Sequence, residues 1–273
     1  EILARSIDEI VRRHETLRTT FSMRDNQLMQ RIHPAARTQL ERHDLSGLPA
    51  QVREQEIARL AALETNHAFD LARGPLLRAS LLVEDASTHH LLLNMHHVIS
   101  DGWSLECFFS ELVEIYPALA AGNASPLAEL PVQYADHAHW EREQLDGEAL
   151  AAPIAYWKRQ LADAPAHLDL PSDRPRPARR SSRGAQHRLQ LSAALGRALQ
   201  TFGEPHGLTP FMILLTAFKL LLWRYSGQRD LCDGVPVAGR HLVEVERLIG
   251  LFVNVLVMRS PTDPESSFLQ AAQ

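Results

Sequence analysis

Two adjacent histidines, His96 and His97, close an apolar run and are followed at short distance by a carboxylate, Asp101, and by Gly102. An imidazole is the natural proton acceptor near neutral pH, because its unperturbed pKa is about 6.5. One of the two rings could therefore deprotonate an incoming amine or alcohol, or stabilise a developing charge. These residue types at this spacing predict a candidate general base in segment 94–104.

The apolar run before the histidines predicts a buried strand, and side chains on a strand alternate between its two faces. A strand that continues through His97 would point the two imidazoles in opposite directions. We therefore expect one histidine to be structural and the other free to act. The alternation argues against a metal site, and the sequence also lacks the helical histidine spacing of zinc sites.

Asp101 and Gly102 stand directly before a predicted helix and have structural alternatives of their own. Asp101 in that position is an N-cap by default. Gly102 allows close backbone approach, and the helix N-terminus adds free N–H groups and a positive dipole, which would suit an anionic transition state. Because each residue taken singly fits a structural role, the cluster alone supports only a candidate base.

Apolar periodicity and turn residues predict the elements that position this cluster. Helices are predicted at about 1–18, 50–66, 103–119, 133–146, 149–161, 192–205 and 209–225. Strands are predicted at about 75–85, 88–97, 185–191, 231–237 and 252–259, with a further strand pair that turns at Asp25-Asn26. This mixture, with hairpin-like connections in its first part, predicts an α+β fold.

Two changes in composition divide the chain. Residues 120–131 form a small-residue loop, and residues 170–186 are rich in proline and arginine, which predicts a linker. We expect an N-terminal subdomain at 1–131, a helical connector with this linker at 132–184, and a partial C-terminal subdomain at 185–273. Because one helix begins abruptly at the first residues and another opens at the last, we expect a fragment of a longer protein.

The bulk composition excludes several function classes. The net charge of −5 does not favour nucleic acid as a partner. No apolar run reaches the roughly 18 residues that span a bilayer, and the charged start is not a signal peptide. The two cysteines, Cys107 and Cys232, fit reduced thiols of a cytoplasmic protein. Kinase, dehydrogenase and hydrolase motifs do not occur.

The segment "HHVISDG" resembles the His-His-x-x-x-Asp-Gly signature of the condensation domains of nonribosomal peptide synthetases. Other stretches resemble further motifs of that family, and they occur in the family's order: "RHETLRTTF" at 13–21, "QYADHAHW" at 133–140 and "IGLFVNVLVMR" at 249–259. "PSDRPRP" and "PVAGR" are also similar to family sequences. The resemblance covers essentially the whole chain.

This resemblance implies a V-shaped pair of chloramphenicol-acetyltransferase-like subdomains, the second incomplete, with the reaction in a tunnel between them. It implies amide formation between a donor acyl or peptidyl thioester and an acceptor aminoacyl thioester. Both are carried on phosphopantetheine arms of donor and acceptor carrier proteins. We expect no cofactor bound by the domain itself, a neighbouring adenylation domain in a multidomain synthetase, and a cytoplasmic location.

The resemblance also assigns roles to the cluster. By position in the motif, His97 is the residue at the reaction centre, whereas His96 and Asp101 are structural. Gly102 corresponds to a residue whose backbone lies beside the reacting groups. A thioester is already activated, so positioning of two tethered substrates could supply much of the rate, and His97 assists without being indispensable.

We further hypothesise that Asp101 pairs with an arginine and so fixes the loop. Arg240, in "PVAGR", is the first candidate because it comes from the C-terminal subdomain, and Arg18 is the second. The family's opening motif and the motifs that follow the one resembled by "IGLFVNVLVMR" are missing from this sequence.

Three alternatives remain at the level of the sequence. An epimerization domain shares the histidine motif but inverts a residue on one carrier protein. A catalytically silent module would keep the fold and bind carrier proteins. A free-standing acyltransferase would act on small soluble thioesters. A cyclization domain is disfavoured, because its histidines are replaced by aspartates.

Overall fold

The structure is a computed structural model that describes residues 1–175, 177–179, 181, 184–261, 263 and 265–273. Its helices are α1 (Ile2–Arg13), α2 (Ala50–Thr65), α3 (Gly102–Ala120), α4 (Tyr134–Gln144), α5 (Ala151–Gln160), α6 (Ala193–Gly203), α7 (Pro210–Ser226) and α8 (Phe268–Ala272). Its strands are β1 (Thr19–Arg24), β2 (Gln27–Ile32), β3 (Leu40–Asp44), β4 (Leu77–Val83), β5 (His89–Met95), β6 (Asp230–Val237) and β7 (Asn254–Pro261). The predicted α+β class is confirmed.

Most predicted elements are confirmed, and the differences have physical causes. The predicted first helix ends at Arg13, because His14 is extended, and a 3₁₀ turn follows at Glu15–Arg18. No strand forms at 185–191, where the alternating residues meet no partner strand and Leu189 is 79% exposed. Strand β3 was not predicted, since its sequence "LERHD" lacks apolar alternation and its pairing depends on a distant strand.

The hairpin of β1 and β2 shows how the sequence sets a turn. The two strands pair antiparallel, with Arg24 opposite Gln27. Asp25 and Asn26 between them adopt φ values of 51° and 60°. Asp and Asn are the non-glycine residues that visit this left-handed region most readily, and two such residues in sequence suit a tight hairpin.

A three-stranded sheet in the order β3-β4-β5 delivers the histidines to their place. Strand β3 runs parallel to β4, and β5 runs antiparallel to it with Met95 opposite Leu77. Because β5 ends opposite the start of β4, His96 lies beside Leu76, the residue directly before β4. The His96 backbone N–H donates to the Leu76 carbonyl at 2.9 Å.

Helices α1 and α3 provide the core that covers this sheet. Ile7 and Ile10 of α1 and Phe108 and Ile115 of α3 have no exposed surface, and they belong to one buried cluster with the start of β4. The spacings of three and seven residues place each pair on one helix face. The apolar faces of the two helices therefore fix the direction in which α3 leaves the histidine loop.

Contacts between residues divide the chain into two compact units. The first contains residues 1–149 and 236–254, and the second contains residues 150–235 and 255–273. Residues 236–254 thus return to the first unit, although they follow the second along the chain. The three-part division predicted from composition stays a prediction, and residues 176, 180, 182 and 183 of its predicted linker lie outside the described residues.

Within the described part of the chain, no single helix combines the length and apolar character needed to cross a membrane. A bent pair of helical segments, 193–206 and 210–226, meets that test only when both are counted together.

Neighbouring phenylalanines of α3 test the core directly. Phe108 is fully buried, whereas Phe109 is 44% exposed. Phe108→Ala should lower the free energy of unfolding by about 3–5 kcal/mol, because it leaves a cavity in the core. Phe109→Ala should cost about 1 kcal/mol or less. Urea unfolding followed by circular dichroism measures both, and equal costs would contradict the described core.

Candidate functional site

His96 is fixed by the loop that follows β5. The strand ends at Met95, so the alternation expected through His97 does not apply. The His96 Nδ1 atom accepts a hydrogen bond from the Val98 N–H at 3.0 Å, and the ring packs edge-on against Phe69. Because Nδ1 is an acceptor here, the neutral ring carries its proton on Nε2. His96 therefore has the bonded, half-buried character of a structural histidine.

His97 differs from its neighbour in every one of these respects. It lies in the turn after the strand and is exposed. Among the described residues, none makes a hydrogen bond or ion pair with its ring. A histidine whose two ring nitrogens are both uncommitted can accept or donate a proton to a bound molecule.

Asp101 closes the histidine loop and begins α3. Its Oδ1 atom accepts from the Ser104 backbone N–H at 2.8 Å and from the Ser104 hydroxyl at 2.7 Å. The Ser104 Oγ atom in turn accepts from the Asp101 N–H at 3.2 Å, which completes a capping box. The expected N-cap role is therefore present, and it satisfies backbone N–H groups that the helix itself cannot.

The other oxygen of Asp101 holds a distant segment of the chain. Its Oδ2 atom accepts from the backbone N–H groups of Phe252 and Val253, at 3.0 and 3.3 Å. Residues 249–253 therefore lie against the N-terminus of α3, and we call them the capping segment. One carboxylate thus joins two stretches of backbone that are far apart in sequence.

Arg240 is the cation at this carboxylate. Its Nη2 atom lies 3.3 Å from Asp101 Oδ1, and both side chains are almost fully buried, at 1% and 3% exposure. Its Nη1 atom donates to the carbonyls of Val245 and Leu248, at 2.6 and 2.7 Å. The guanidinium also stacks over the Phe252 ring, with its central carbon 4.0 Å from the ring centroid. Arg240 belongs to the same compact unit as Asp101.

Arg18, the second predicted partner, lies elsewhere. Its Nη1 atom donates to the His33 carbonyl at 2.5 Å, and its Nη2 atom lies 3.4 Å from Glu15 Oε1. These contacts tie the 3₁₀ turn to the end of β2. The structure therefore brings Asp101 together with Arg240 and not with Arg18.

The hydrogen bonds of Asp101 determine its protonation. Burial by itself would raise the pKa of this carboxyl group. Hydrogen bonds from Ser104 and from the Phe252 N–H, with the charge of Arg240, outweigh burial and hold the pKa below its ordinary value of 3.8. Asp101 is therefore a carboxylate at neutral pH and acts as an acceptor only.

Ser104 is a site residue that the sequence analysis missed. It is fully buried, and its hydroxyl lies 2.9 Å from the Gly250 carbonyl and accepts from the Gly250 N–H at 3.0 Å. Its position, three residues after an N-cap aspartate, signals a capping box. No sequence signal places the same hydroxyl against residue 250, because that contact depends on the tertiary fold.

Two glycines allow the segments of the site to approach one another. Gly239 has φ +69°, and a Cβ atom built there would overlap the Phe252 carbonyl. A Cβ atom at Gly250 would overlap the ring of Tyr134, whose hydroxyl donates to the Leu251 carbonyl at 2.8 Å. The glycines of "PVAGR" and "IGLF" therefore let these motifs and "QYADHAHW" meet.

Gly102 occupies the first position of α3, next to Asp101, and is exposed. A Cβ atom built on it would meet no other atom within 4 Å. Folding thus does not require glycine here, unlike at Gly239. Within the residues described by the structure, no group of three or more His, Cys, Asp or Glu side chains is placed to hold a metal ion.

Comparison with known proteins gives a consistent family. The family model "Condensation domain" matches residues 1–273. A linear gramicidin synthase protein of Brevibacillus parabrevis is 49% identical over 268 residues, which cover 98% of this chain but only 4% of that protein. The chain thus spans a small part of the length of this curated relative.

Solved structures agree with this assignment. The X-domain from teicoplanin biosynthesis has a TM-score of 0.89 and 31% identity over 99% of this chain and 60% of that chain. The same X-domain in its complex with OxyB has a TM-score of 0.86, 30% identity and coverage of 99% and 59%. The first condensation domain of the calcium-dependent antibiotic synthetase has a TM-score of 0.79 and 24% identity over 99% of this chain and 63% of that one. These neighbours confirm the predicted chloramphenicol-acetyltransferase-like fold.

Removal of the Asp101 charge tests the site's electrostatics. Asp101→Asn should lower the free energy of unfolding by about 3–5 kcal/mol at neutral pH, since Arg240 would be left as a buried, unpaired cation. Because the folded pKa lies below 3.8, the part of this difference that comes from ionisation of Asp101 should be complete above that value and should decrease as the pH falls through the folded pKa. Urea unfolding of both proteins between pH 2 and 7 measures it.

Asp25→Asn is the matched control, because its side chain is 92% exposed at the hairpin turn. It should leave the free energy of unfolding unchanged within about 0.5 kcal/mol. A cost for Asp101→Asn as small as that for Asp25→Asn would show that the carboxylate does not hold the segments together.

Proposed function

The chain belongs to the condensation-domain family of nonribosomal peptide synthetases, and from this premise we propose that it forms an amide bond between two carrier-bound thioesters. The donor is an acyl or peptidyl thioester and the acceptor is an aminoacyl thioester, each on the phosphopantetheine arm of a carrier protein. The partners are therefore a donor and an acceptor carrier protein, with an adenylation domain nearby in the same synthetase. The observation that carries the proposal is an exposed His97 whose ring has no bonding partner among the described residues, beside a firmly bonded His96.

The proposed step is aminolysis of a thioester. The acceptor nitrogen attacks the donor carbonyl carbon, the C–N bond forms and the C–S bond breaks. His97 takes a proton from the attacking nitrogen and returns it to the departing sulfur, so the products are an amide on the acceptor arm and a free thiol on the donor arm. Proton transfer by a positioned base is worth about 10²–10⁴-fold in rate.

The N-terminus of α3 supplies a second element of the proposed site. It begins at Gly102, five residues after His97, and its peptide dipoles place partial positive charge at that end. Negative charge that develops on the thioester oxygen during attack would be stabilised there. The open space around the Gly102 Cα position supports this arrangement, because a side chain would occupy room that the substrate needs.

Positioning of the two tethered substrates supplies the remainder of the rate. Well-oriented intramolecular reactions gain effective molarities worth about 7–11 kcal/mol. His97 therefore assists a reaction that the fold already favours. This division of work requires that the histidine loop be held in one place, which is the role proposed for His96 and Asp101.

A second candidate function is recruitment of a partner protein without catalysis. It is favoured by one observation, the likeness to the teicoplanin X-domain in its complex with OxyB. A recruiting module would need the fold but no free imidazole. The His97 ring is exposed and has no hydrogen bond or ion pair within the described part of the chain, which supports condensation over recruitment.

Loss of His97 tests the proposed chemistry. In the complete synthetase, with loaded donor and acceptor carrier proteins, His97→Ala should lower the single-turnover rate of amide formation by about 10²–10⁴-fold. His89→Ala, at an exposed position at the start of β5, should leave the rate unchanged. Quenched samples analysed by mass spectrometry give both rates.

A rate for His97→Ala equal to that of wild type would exclude the proposed proton transfer. Failure of wild type to form amide would instead favour inversion, detected by chiral analysis of the donor, or recruitment.

Substitution of Gly102 tests the space beside the helix end. Gly102→Ala should not lower the melting temperature, because the added methyl group meets open space and alanine is the better helix former by about 1 kcal/mol. It should reduce amide formation by about 10–100-fold through displaced substrate. Gly196→Ala in α6, where space is also open, should leave amide formation unchanged. Full activity of Gly102→Ala would place the substrate elsewhere.

A further inference from the structure

His14 is a fully buried histidine of "RHETLRTTF", and its two ring nitrogens are bonded to different parts of the fold. The Nε2 atom lies 3.1 Å from Glu111 Oε1 of α3. The Nδ1 atom accepts a hydrogen bond from the backbone N–H of Ile249 at 3.2 Å. Neither the N-cap role of Asp101 nor the proposed proton transfer uses this histidine.

Glu111 sets which nitrogen of His14 carries the proton. Arg13 binds the same carboxylate with two hydrogen bonds, from Nε at 3.0 Å and from Nη2 at 3.2 Å. Burial would raise the pKa of Glu111, but the hydrogen bonds from His14 and Arg13 outweigh it and lower the pKa. An ionised carboxylate can only accept, so His14 donates from Nε2, and Nδ1 is left as the acceptor for Ile249.

The residue held by His14 is the first of the capping segment. The N–H of Gly250, the next residue, donates to the Ser104 hydroxyl oxygen, and the N–H groups of Phe252 and Val253 donate to Asp101. The segment is therefore held at its start by His14, the residue directly after α1, and along its length by the N-terminus of α3. Because its backbone N–H groups satisfy Asp101, any shift of the segment changes the contacts that close the His97 loop.

We propose that His14 is a positioning residue for the amide-forming reaction. Its Nδ1 atom fixes the capping segment at Ile249, the segment fixes Asp101, and Asp101 fixes the loop that presents His97. This inference rests on the proposed function, because it assigns to His14 an effect on that reaction. It also assigns a role to the motif "RHETLRTTF": its histidine accepts a hydrogen bond from a backbone N–H more than 200 positions away in sequence.

Two variants separate the two bonds of the ring. Asparagine at position 14 can place its amide oxygen near the former Nδ1 position, so His14→Asn keeps an acceptor for Ile249 and gives up the bond to Glu111. Glutamine can place its amide nitrogen near the former Nε2 position, so His14→Gln keeps the donor to Glu111 and gives up the acceptor. If His14 only satisfied the core, the two variants would behave alike.

The experiment measures kcat and the KM for the loaded acceptor carrier protein in the complete synthetase. His14→Gln should lower kcat by about 10–100-fold with KM unchanged, because a misplaced loop impairs chemistry and not carrier binding. His14→Asn should retain kcat within about threefold of wild type. His90→Gln is the matched control, since His90 forms a partly buried pair with Glu84 at 2.7 Å outside the proposed site, and it should leave kcat and KM unchanged.

Hydrogen exchange reports the structural part of the same inference. In wild type, the Ile249 amide should exchange as slowly as the Phe252 amide, because both N–H groups are bonded to buried acceptors. In His14→Gln, exchange of amides 249–253 should rise at least tenfold, with little change in β4. This readout on wild type remains decisive even if a variant at position 14 fails to fold.

The outcomes separate this inference from the proposed function. Absence of amide product from wild type would overturn the proposed function and the inference together. Amide formation by wild type with equal kcat for His14→Gln would overturn the inference alone. The inference would also be overturned by equal loss of kcat in both variants at position 14, or by fast exchange of the Ile249 amide in wild type.

Discussion

The rest of the site depends on the buried carboxylate of Asp101, because a buried charge needs hydrogen-bond donors and an opposite charge around it. A charge removed from water must be met by donors and by an opposite charge, or it costs several kcal/mol. Here the N-terminus of α3, two backbone N–H groups of the capping segment and the guanidinium of Arg240 all meet it. Segments distant in sequence are thereby brought to one point, and the histidine loop is closed at the same residue.

The two histidines show how this constraint produces different properties from identical side chains. The His96 ring accepts from the Val98 N–H and its backbone N–H donates to Leu76, directly before β4, so both ring and backbone are hydrogen-bonded. His97 is one residue further, in the turn, and its ring is exposed. A reaction that depends on positioning of its substrates requires an imidazole that is free to bind them and is held in place by hydrogen-bonded neighbours. From the sequence, we predicted one structural and one free histidine because side chains alternate along a strand. That reason does not apply, since the strand ends at Met95.

The parts of the site that could be predicted are those with side-chain signals. His96, His97, Asp101 and Arg240 were named from residue type, spacing and resemblance, and the structure places Arg240 at Asp101. Backbone N–H groups carry no signal of their own, so the capping segment was not foreseen as the partner of that carboxylate. Strand β3 and the coil at 185–191 show the same limit for the fold, since strand pairing depends on distant partners that a local pattern does not contain. Helices with strong apolar periodicity, such as α3, needed no such information.

A double-mutant cycle on amide formation tests the claim that Asp101 acts through His97. The complete synthetase would be compared as wild type, Asp101→Asn, His97→Ala and the double variant, with each rate normalised to the folded fraction. If Asp101 serves to hold the loop of His97, its substitution should slow wild type but add no further loss once His97 is absent. Losses that multiply in the double variant would contradict this account, because they would show that Asp101 and His97 contribute independently.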